Sequence, residues 1–482
     1  MTDLAAPPDL GRRVRPGAIV LVLSTCGVVA ALMQTLVVPL LPNLPVLLHT
    51  SAANASWVLT ATLLAGAVST PISGRLGDMY GKRRILLCSL GLLVLGSTVS
   101  ALTSDVGTMV LGRILQGSAM GAIPLGISIM RDTLPAERLG SAMALMSATI
   151  GVGGGVGLPL SALVAQQADW HLLFWLAAVL GLLSAAAIAW MVPESPLRAG
   201  GRFDFAGALG MVLGLSCLLL AITQGGSWGW GSPAVLGLLG AALVILLGWG
   251  WYEYRVRQPL VDLRVSARRQ VLMTNLASVL VGFAMYAQAL ILPQLLQAPV
   301  ATGYGFGQSL VVAGICMAPS GLIMIVISPV SARISAAYGP RTSLAAGIAV
   351  IMLGYGSAVF LMHSAWQIVL VASVISVGVA LAYAAMPALI MRAVPASETA
   401  AANGLNALMR ALGTSFSSAV LSVVLTQLTF TLGPLTLPSK AGFQVSFLIA
   451  AGVSAAGLVL TMMIPRMPAA PHPATPGTRP GG

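Results

Sequence analysis

The chain has 482 residues, of which 57% are hydrophobic and only 7% charged. A soluble domain carries roughly 25% charged residues, so this composition could not cover a water-exposed surface, and the soluble classes are excluded. The formal net charge of +12 does not point to nucleic acid either, because the basic residues punctuate apolar runs instead of gathering on one domain.

A helix needs about 20 apolar residues to cross the hydrocarbon core of a bilayer. Runs of that kind fall at 18–40, 57–75, 85–103, 107–129, 141–165, 171–192, 205–223 and 234–252, and then at 271–296, 309–330, 342–362, 367–390, 400–428 and 445–464. The expected fold is an all-α membrane protein with 14 transmembrane helices. Residues 1–16 read as a cytoplasmic tail, and the first span, preceded by arginines but by no cleavage site, reads as retained. Residues 17–203 then form one six-helix bundle, 204–258 an inserted two-helix hairpin, and 259–466 a second six-helix bundle. The Pro-, Ala- and Gly-rich residues 467–482 read as a disordered cytoplasmic tail.

Charge sets the expected orientation. With the N-terminus in the cytoplasm, the even-numbered connections and both tails hold 21 of the 24 basic residues. The odd-numbered connections hold only Lys440, and Arg113 and Arg410 lie within spans. The positive-inside rule then places both termini in the cytoplasm. Tryptophans near the span ends, such as Trp57, Trp170, Trp190 and Trp251, suit the headgroup level. The four cysteines, Cys26, Cys88, Cys217 and Cys316, sit apart in apolar runs and read as small buried hydrophobes. The histidines are scattered, so neither a metal site nor a cofactor is expected. No P-loop is present, and no convergent catalytic set suggests an enzyme.

Several segments depart from plain apolar sequence. After the second span the chain reads Gly74-Arg75-Leu76-Gly77-Asp78-Met79-Tyr80-Gly81-Lys82-Arg83-Arg84. Its glycines permit a tight turn between two helix ends, and Asp78 can accept hydrogen bonds and pair with nearby arginines. After the tenth span Ala332-Arg333-Ile334-Ser335-Ala336-Ala337-Tyr338-Gly339-Pro340-Arg341 repeats the arginine, the Tyr-Gly pair and the basic tenth position. Such self-similarity suits a transporter built of two parallel six-helix repeats. The fourth span carries Arg113-Ile114-Leu115-Gln116-Gly117, an expensive intramembrane charge and a functional-site hypothesis for that reason. The fifth carries Gly151, Gly153, Gly154, Gly155 and Gly157 ahead of Leu158-Pro159, small residues that let helices approach and a proline that bends the span.

Together these segments resemble the major facilitator superfamily, and within it the fourteen-span drug/proton antiporter branch. The first matches that superfamily's G-x-L-x-D-x-x-G-R-[KR] loop, with Lys82 at the basic position. The resemblance implies a gating loop of Gly74, Asp78, Gly81, Lys82, Arg83 and Arg84 that latches two halves together. It implies a proton-coupling or cavity charge at Arg113 and Gln116, with Asp132, Asp105 and His171 as further proton candidates. It implies antiporter-type packing at Gly153, Gly157 and Pro159, although Leu158 stands where the pattern has proline. His171 replaces the arginine of a further motif resembling S-W-R-W-x-F-W. In the first span Gln34 stands where the branch carries an acid, and glutamine does not titrate.

With no acid expected deep in a span, neutral, zwitterionic or anionic amphipaths fit better than multivalent cations. Candidate cavity residues are Met33, Gln34, Asn275, Tyr286, Gln288, Tyr383, Asn406 and Arg410. Asn403, Asn406 and Arg410 share one helix face, which could line a cavity or bond a neighbouring helix. The function expected is a monomeric secondary efflux transporter of the cytoplasmic membrane, moving amphipathic drugs or natural products by alternating access on the proton gradient. An uncoupled facilitator and a non-transporting sensor of the same fold are the alternatives.

Overall fold

A computed structural model describes residues 16–40, 43–432 and 435–465. The two tails, with Arg12, Arg13, Arg15, Arg466, Arg479 and His472, fall outside those residues, as does the side chain of Gln34. Fourteen long helices follow in order. The first six are α1 (Pro16–Thr35), α2 (Ala52–Tyr80), α3 (Lys82–Ala101), α4 (Val106–Thr133), α5 (Ala136–Gln167) and α6 (His171–Met191). Next come α7 (Phe205–Trp228) and α8 (Pro233–Arg255). The last six are α9 (Arg269–Gln297), α10 (Leu310–Tyr338), α11 (Pro340–Ala358), α12 (Ala365–Met391), α13 (Thr399–Gln427) and α14 (Lys440–Met462).

Thirteen of these are long and apolar enough to cross a membrane. The exception is α11, whose 19 residues begin Pro-Arg-Thr-Ser and end Gly-Tyr-Gly-Ser-Ala, polar enough at both ends to leave only a short apolar centre.

Helices α1–α6 pack on one another, as do α9–α14; the sets meet chiefly where α2 lies against α13 and α5 against α10, with α12 also touching α5 and α13 touching α4. The pair α7 and α8 lies alongside, with α7 seated on α2 and α13, and α8 packed chiefly on α7. One large apolar cluster fills the second set, around Ile291, Tyr355 and Phe447, and two fill the first. A further cluster joins Met211 and Leu215 of α7 to Ala67 of α2 and Leu408 of α13.

Local chemistry explains the departures from the expected spans. The first span reaches Leu40 as expected, but its regular helix α1 stops at Thr35; Pro39 follows in a 3-10 turn, Val38–Leu40, and Pro45 opens a short helix, Leu44–Leu47. Helix α2 starts early because Ser51 caps it, accepting from the Asn54 N–H at 3.2 Å. It also runs on to Tyr80, so the segment expected as a turn is helical up to its last glycine. Only Gly81, at φ +114°, makes the turn, in a region that side chains strongly disfavour. Helix α4 tightens to a 3-10 turn at Ser118–Gly121. The chain is also not wholly helical: Thr429–Leu432 (β1) and Leu435–Pro438 (β2) form an antiparallel hairpin between α13 and α14. Tyr304 anchors that hairpin by a hydrogen bond to the Pro438 carbonyl.

Candidate functional site

Three groups of the expected residues come together, at different depths. The first sits at the end of the molecule where α2 meets α3, the end carrying most of the basic connections. Asp78 is fully buried there and reaches across to the other helix set. Its carboxylate accepts from the backbone N–H of Ala400 at 3.2 Å and of Ala401 at 2.8 Å, in the first turn of α13. Those amides have no partner within their own helix, and the positive end of the helix dipole favours an anion.

Lys82 completes the cluster. Its ammonium is fully buried, 3.6 Å from Asp78, 2.6 Å from Asp132 and 3.2 Å from the Thr399 hydroxyl. Asp78 was expected to pair with arginines; its close partner is this lysine, placed one turn away by the turn at Gly81. Asp132 was expected as a proton candidate near the inner end of the fourth span. It pairs with Lys82 and also accepts from the Ser195 hydroxyl at 2.5 Å. The 19 residues separating it from Arg113 correspond to about 28 Å of helix.

The helical glycines act through what they leave out. A Cβ on Gly74 would collide with the Ala400 carbonyl, and one on Gly77 with Leu125. Glu194 accepts from the N–H of Arg83 at 3.1 Å and of Arg84 at 3.3 Å, capping α3. The Arg83 guanidinium bonds the Ala189 carbonyl, while Arg84 is largely exposed with its Nε 3.8 Å from Glu194. Glu194, Ser195 and Thr399 were missed in the sequence, where Val192-Pro193-Glu194-Ser195-Pro196 reads only as a helix break. The available signal was an acid beside that break, facing a run of three basic residues.

The second group surrounds Arg113, fully buried two turns into α4. Its guanidinium donates to the Val58 carbonyl at 3.2 Å, to the Met33 carbonyl at 3.3 Å and to Gln116 Oε1 at 2.6 Å. Gln116 in turn donates to Ser97 at 2.7 Å. Arg113 therefore ties α1, α2 and α4 together through neutral acceptors, and among the described residues no carboxylate touches it. Met33, expected to line a cavity, is buried in the core and contributes only this carbonyl.

The third group lines a cavity of about 130 Å³ between α2, α4, α7 and α13. Of the expected cavity residues, Tyr383 and Arg410 line it. The Arg410 guanidinium lies 5.1 Å above the Tyr383 ring and bonds Asn406. Asn406 stands one layer behind, donating to Asn275 at 2.9 Å and Ser278 at 2.7 Å on α9. Asn403 turns back onto its own helix through the Thr399 carbonyl. Gln288 does not reach the cavity, because it is spent between α9 and α12 on Ala372 and Ser376. Tyr286 is half-buried and also absent from the lining.

Residues not expected there, Thr60, Thr62, Thr70, Thr223, Thr414 and Ser415, give the cavity its hydroxyls. Most of these donate to carbonyls of their own helix, Thr62 to Val58 and Thr414 to Ala411 for example, so lone pairs are what they turn to the cavity. Arg410 is the one charged residue in the lining.

Helix α5 separates two glycine faces. Gly153 and Gly157 admit Ala31, Leu32 and Thr35 of α1, and Thr35 donates to the Gly153 carbonyl at 3.2 Å. Gly151 and Gly155, two positions round the helix and so on the opposite side, admit Met324 and Gly321 of α10, and Pro159 packs near Gly314. At the far end of the molecule His171 Nδ1 lies 2.6 Å from Asp169. The His171 backbone N–H holds the Asp169 carboxyl below the usual carboxylate range, and the Thr108 N–H does the same for Asp105.

Two helical sets packed against each other, a charged contact across the α2–α13 crossing and a cavity between the sets define the class of two-fold membrane carriers. The family model for the Major Facilitator Superfamily matches residues 23–418, and the chain belongs to that superfamily. It is therefore a multi-pass integral membrane protein. The tetracenomycin C resistance and export protein of Streptomyces glaucescens is 28% identical over 350 residues, 72% of this chain. The chain spans only 64% of that relative's length. The multidrug resistance protein Stp of Mycobacterium tuberculosis is 28% identical over 382 residues, 78% of this chain and 70% of that protein. Among solved structures, the human organic anion transporter MFSD10 superposes with a TM-score of 0.66 at 17% identity, over 95% of this chain and all of that one. The proton:xylose symporter XylE gives 0.63 at 14% identity, over 93% of this chain and 96% of that one. At such identities these last two speak for the fold alone.

Proposed function

We propose that the chain exports amphipathic drugs or natural products by alternating access of two six-helix halves about the cavity beside Arg410. The observation that carries this is the Asp78 contact: a buried carboxylate of one half holds the N-terminus of α13 in the other, so the gate can be released by moving one charge. In this reading α11 counts as a fourteenth span, the basic end and both termini face the cytoplasm, α7 and α8 are an insertion between the halves, and one chain is the working unit. The names of the relatives, resistance and export for one and multidrug resistance for another, support the export direction.

Cavity chemistry supports the substrate class. Its one charge is a guanidinium on an aromatic face, its hydroxyls offer acceptors, and no acid lines it among the described residues. A multivalent cation would meet a like charge there. A neutral, zwitterionic or anionic amphipath with a planar portion and hydrogen-bond donors fits the lining.

The proton gradient is the proposed driving force, with Arg113 and its bonds to Met33 and Gln116 as the element that senses it. The lack of any carboxylate on Arg113 favours a second reading, an uncoupled facilitator. Inside-out vesicles with an acid interior separate the two. Addition of anionic or neutral amphipaths should collapse the pH gradient, and Arg113→Ala should abolish that response. Tracer flux without a pH response would establish the facilitator. A pH response confined to multivalent cations would overturn the substrate class, and no flux of any compound would overturn transport itself.

A further inference from the structure

At the basic end lies a second cleft, of about 280 Å³, that the transport cycle sketched above does not use. Its walls come from the end of α2, from the connections on either side of the α7–α8 pair, and from the segment entering α13. The walls are tied together. The Ala199 N–H donates to the Asp78 carbonyl at 2.6 Å, and the Arg202 N–H to the Gln258 side chain at 2.6 Å. Gly201, at φ +113°, lets the first connection fold onto Gln258, where a Cβ would collide.

Three guanidiniums line this cleft: Arg75, Arg198 and Arg257. Arg198 and Arg257 are exposed, but Arg75 is only 8% exposed and makes no hydrogen bond or ion pair among the described residues. Asp78 lies within Coulombic reach of it, but both Asp78 oxygens are already spent on the Ala400 and Ala401 amides. Two acids share the lining. Asp262 is occupied, accepting from the Arg264 and Val265 amides at 2.8 and 3.1 Å, and Glu398 stands half-buried with no side-chain partner among the described residues. The lining therefore keeps a net positive charge, with the Arg75 guanidinium open to the cleft.

We propose that this cleft binds a phosphate group, gripped by Arg75 from within and by Arg198 and Arg257 at the mouth. Guanidinium forks match phosphate oxygens in pairs, and a cleft several times the roughly 30 Å³ share of one water has room for a polyatomic anion. The phosphate is either a small soluble one or the head of an anionic phospholipid; both present the same chemistry to the three arginines. The site also has a mechanical consequence. Arg75 belongs to the first helical set and residues 394–405 to the second, so parting α2 from α13 dismantles the cleft. A ligand that binds only the assembled cleft favours the closed gate. This inference does not depend on what the central cavity carries.

The test uses the full chain in detergent, stripped of lipid, with the thermal midpoint followed by tryptophan fluorescence. Inorganic phosphate is titrated at constant ionic strength against chloride, and in parallel the protein is placed in nanodiscs of phosphatidylcholine with or without phosphatidylglycerol. A saturable rise with inorganic phosphate assigns the soluble source; a rise only with phosphatidylglycerol assigns the lipid. In either case the double variant Arg198→Gln/Arg257→Gln should weaken the response at least tenfold, and Arg75→Gln should remove it. The double variant alters exposed connections only, so its ligand-free midpoint should match that of the native chain, which guards against misfolding. The proposal is overturned if neither probe gives a saturable shift, or if the shift survives in the double variant.

Discussion

The segments 74–83 and 332–341 occupy the same place in the two halves, and the backbone treats them alike. Each ends a long helix at Tyr-Gly, turns on a glycine of positive φ, at +114° for Gly81 and +86° for Gly339, and starts the next helix at once. Their chemistry differs. Where the first has Asp78 and Lys82, both fully buried, the second has Ala336, exposed, and Pro340, which simply starts α11 with its preset φ. The basic residue of the second copy, Arg341, turns to the C-terminus of α14 in its own half. One turn is thus a contact between halves and the other a joint within one. The shared glycine serves the backbone; the unshared acid and lysine bind one half to the other.

The largest effect should come from taking charge out of the gate. Lys82→Met leaves Asp78 and Asp132 buried without their cation, and breaking a buried pair in this way costs about 3–5 kcal/mol. The expected outcome is a marked drop in thermal midpoint and loss of export. Installing the acid in the other copy, Ala336→Asp, should change either measurement by no more than about 0.5 kcal/mol, as for exposed positions generally. Equal effects of the two substitutions would erase the distinction between gate and joint.

Shape should matter next. Gly74→Ala places a Cβ 2.8 Å from the Ala400 carbonyl carbon, against backbone that cannot rotate away. Overpacking of this kind costs about 1–3 kcal/mol, here drawn from the α2–α13 crossing, so the closed gate should be weakened and the native fold kept. The corresponding residue of the second copy, Ala332, already carries a Cβ, and even a Cβ added to Gly140 would stand an ordinary 4.0 Å from it. Ala332→Gly should cost only the helix penalty of glycine, about 0.5–1 kcal/mol. Thermal midpoints and labelling of a cysteine placed in the gate would separate the two: exposure of the gate in Gly74→Ala and not in Ala332→Gly is the expected pattern.

The same pair of segments shows what was legible in the sequence. The repeat, the basic connections and the helical segments follow from periodic properties of single stretches, and hydropathy and charge report those directly. Asp78 stood out in the sequence because spacing in one short motif marks it. Its partners were not, since the amides of Ala400 and Ala401 lie over 320 positions away and backbone donors leave no trace in side-chain identity. The expected turn at Gly74 failed for a related reason: a glycine needed for close approach of another helix reads the same as one needed for a bend. In the cavity Tyr383 and Arg410 were found by type, but Gln288 was misplaced, because a polar residue in a span can face a cavity or bond a neighbouring carbonyl, as Gln288 does with Ala372. Only the neighbour decides. The break in α1 at Thr35 was signalled by Pro39 and Pro42 and overridden by the apolar run around them.

The smallest effect belongs to the joint. Arg341 donates from Nε to the Thr461 carbonyl at 3.3 Å and from a terminal nitrogen to the Met462 carbonyl at 2.6 Å, both in the last turn of α14. A cation there adds a donor to carbonyls of the last turn, of which Thr461 O already accepts from the Ile464 N–H at 3.1 Å, and opposes the negative end of the dipole. Because the residue is partly exposed, the contact is worth about 0.3–1 kcal/mol and is screened by salt. Arg341→Ala should therefore lower the thermal midpoint slightly at low ionic strength, with the difference shrinking as salt is raised, and should leave export unchanged. Lys82→Met, in a site closed to solvent, should show no such relief by salt. If Arg341→Ala instead impaired export at every ionic strength, the second copy would be a gate as well, and the asymmetry argued from Ala336 and Pro340 would be one of residues without being one of roles.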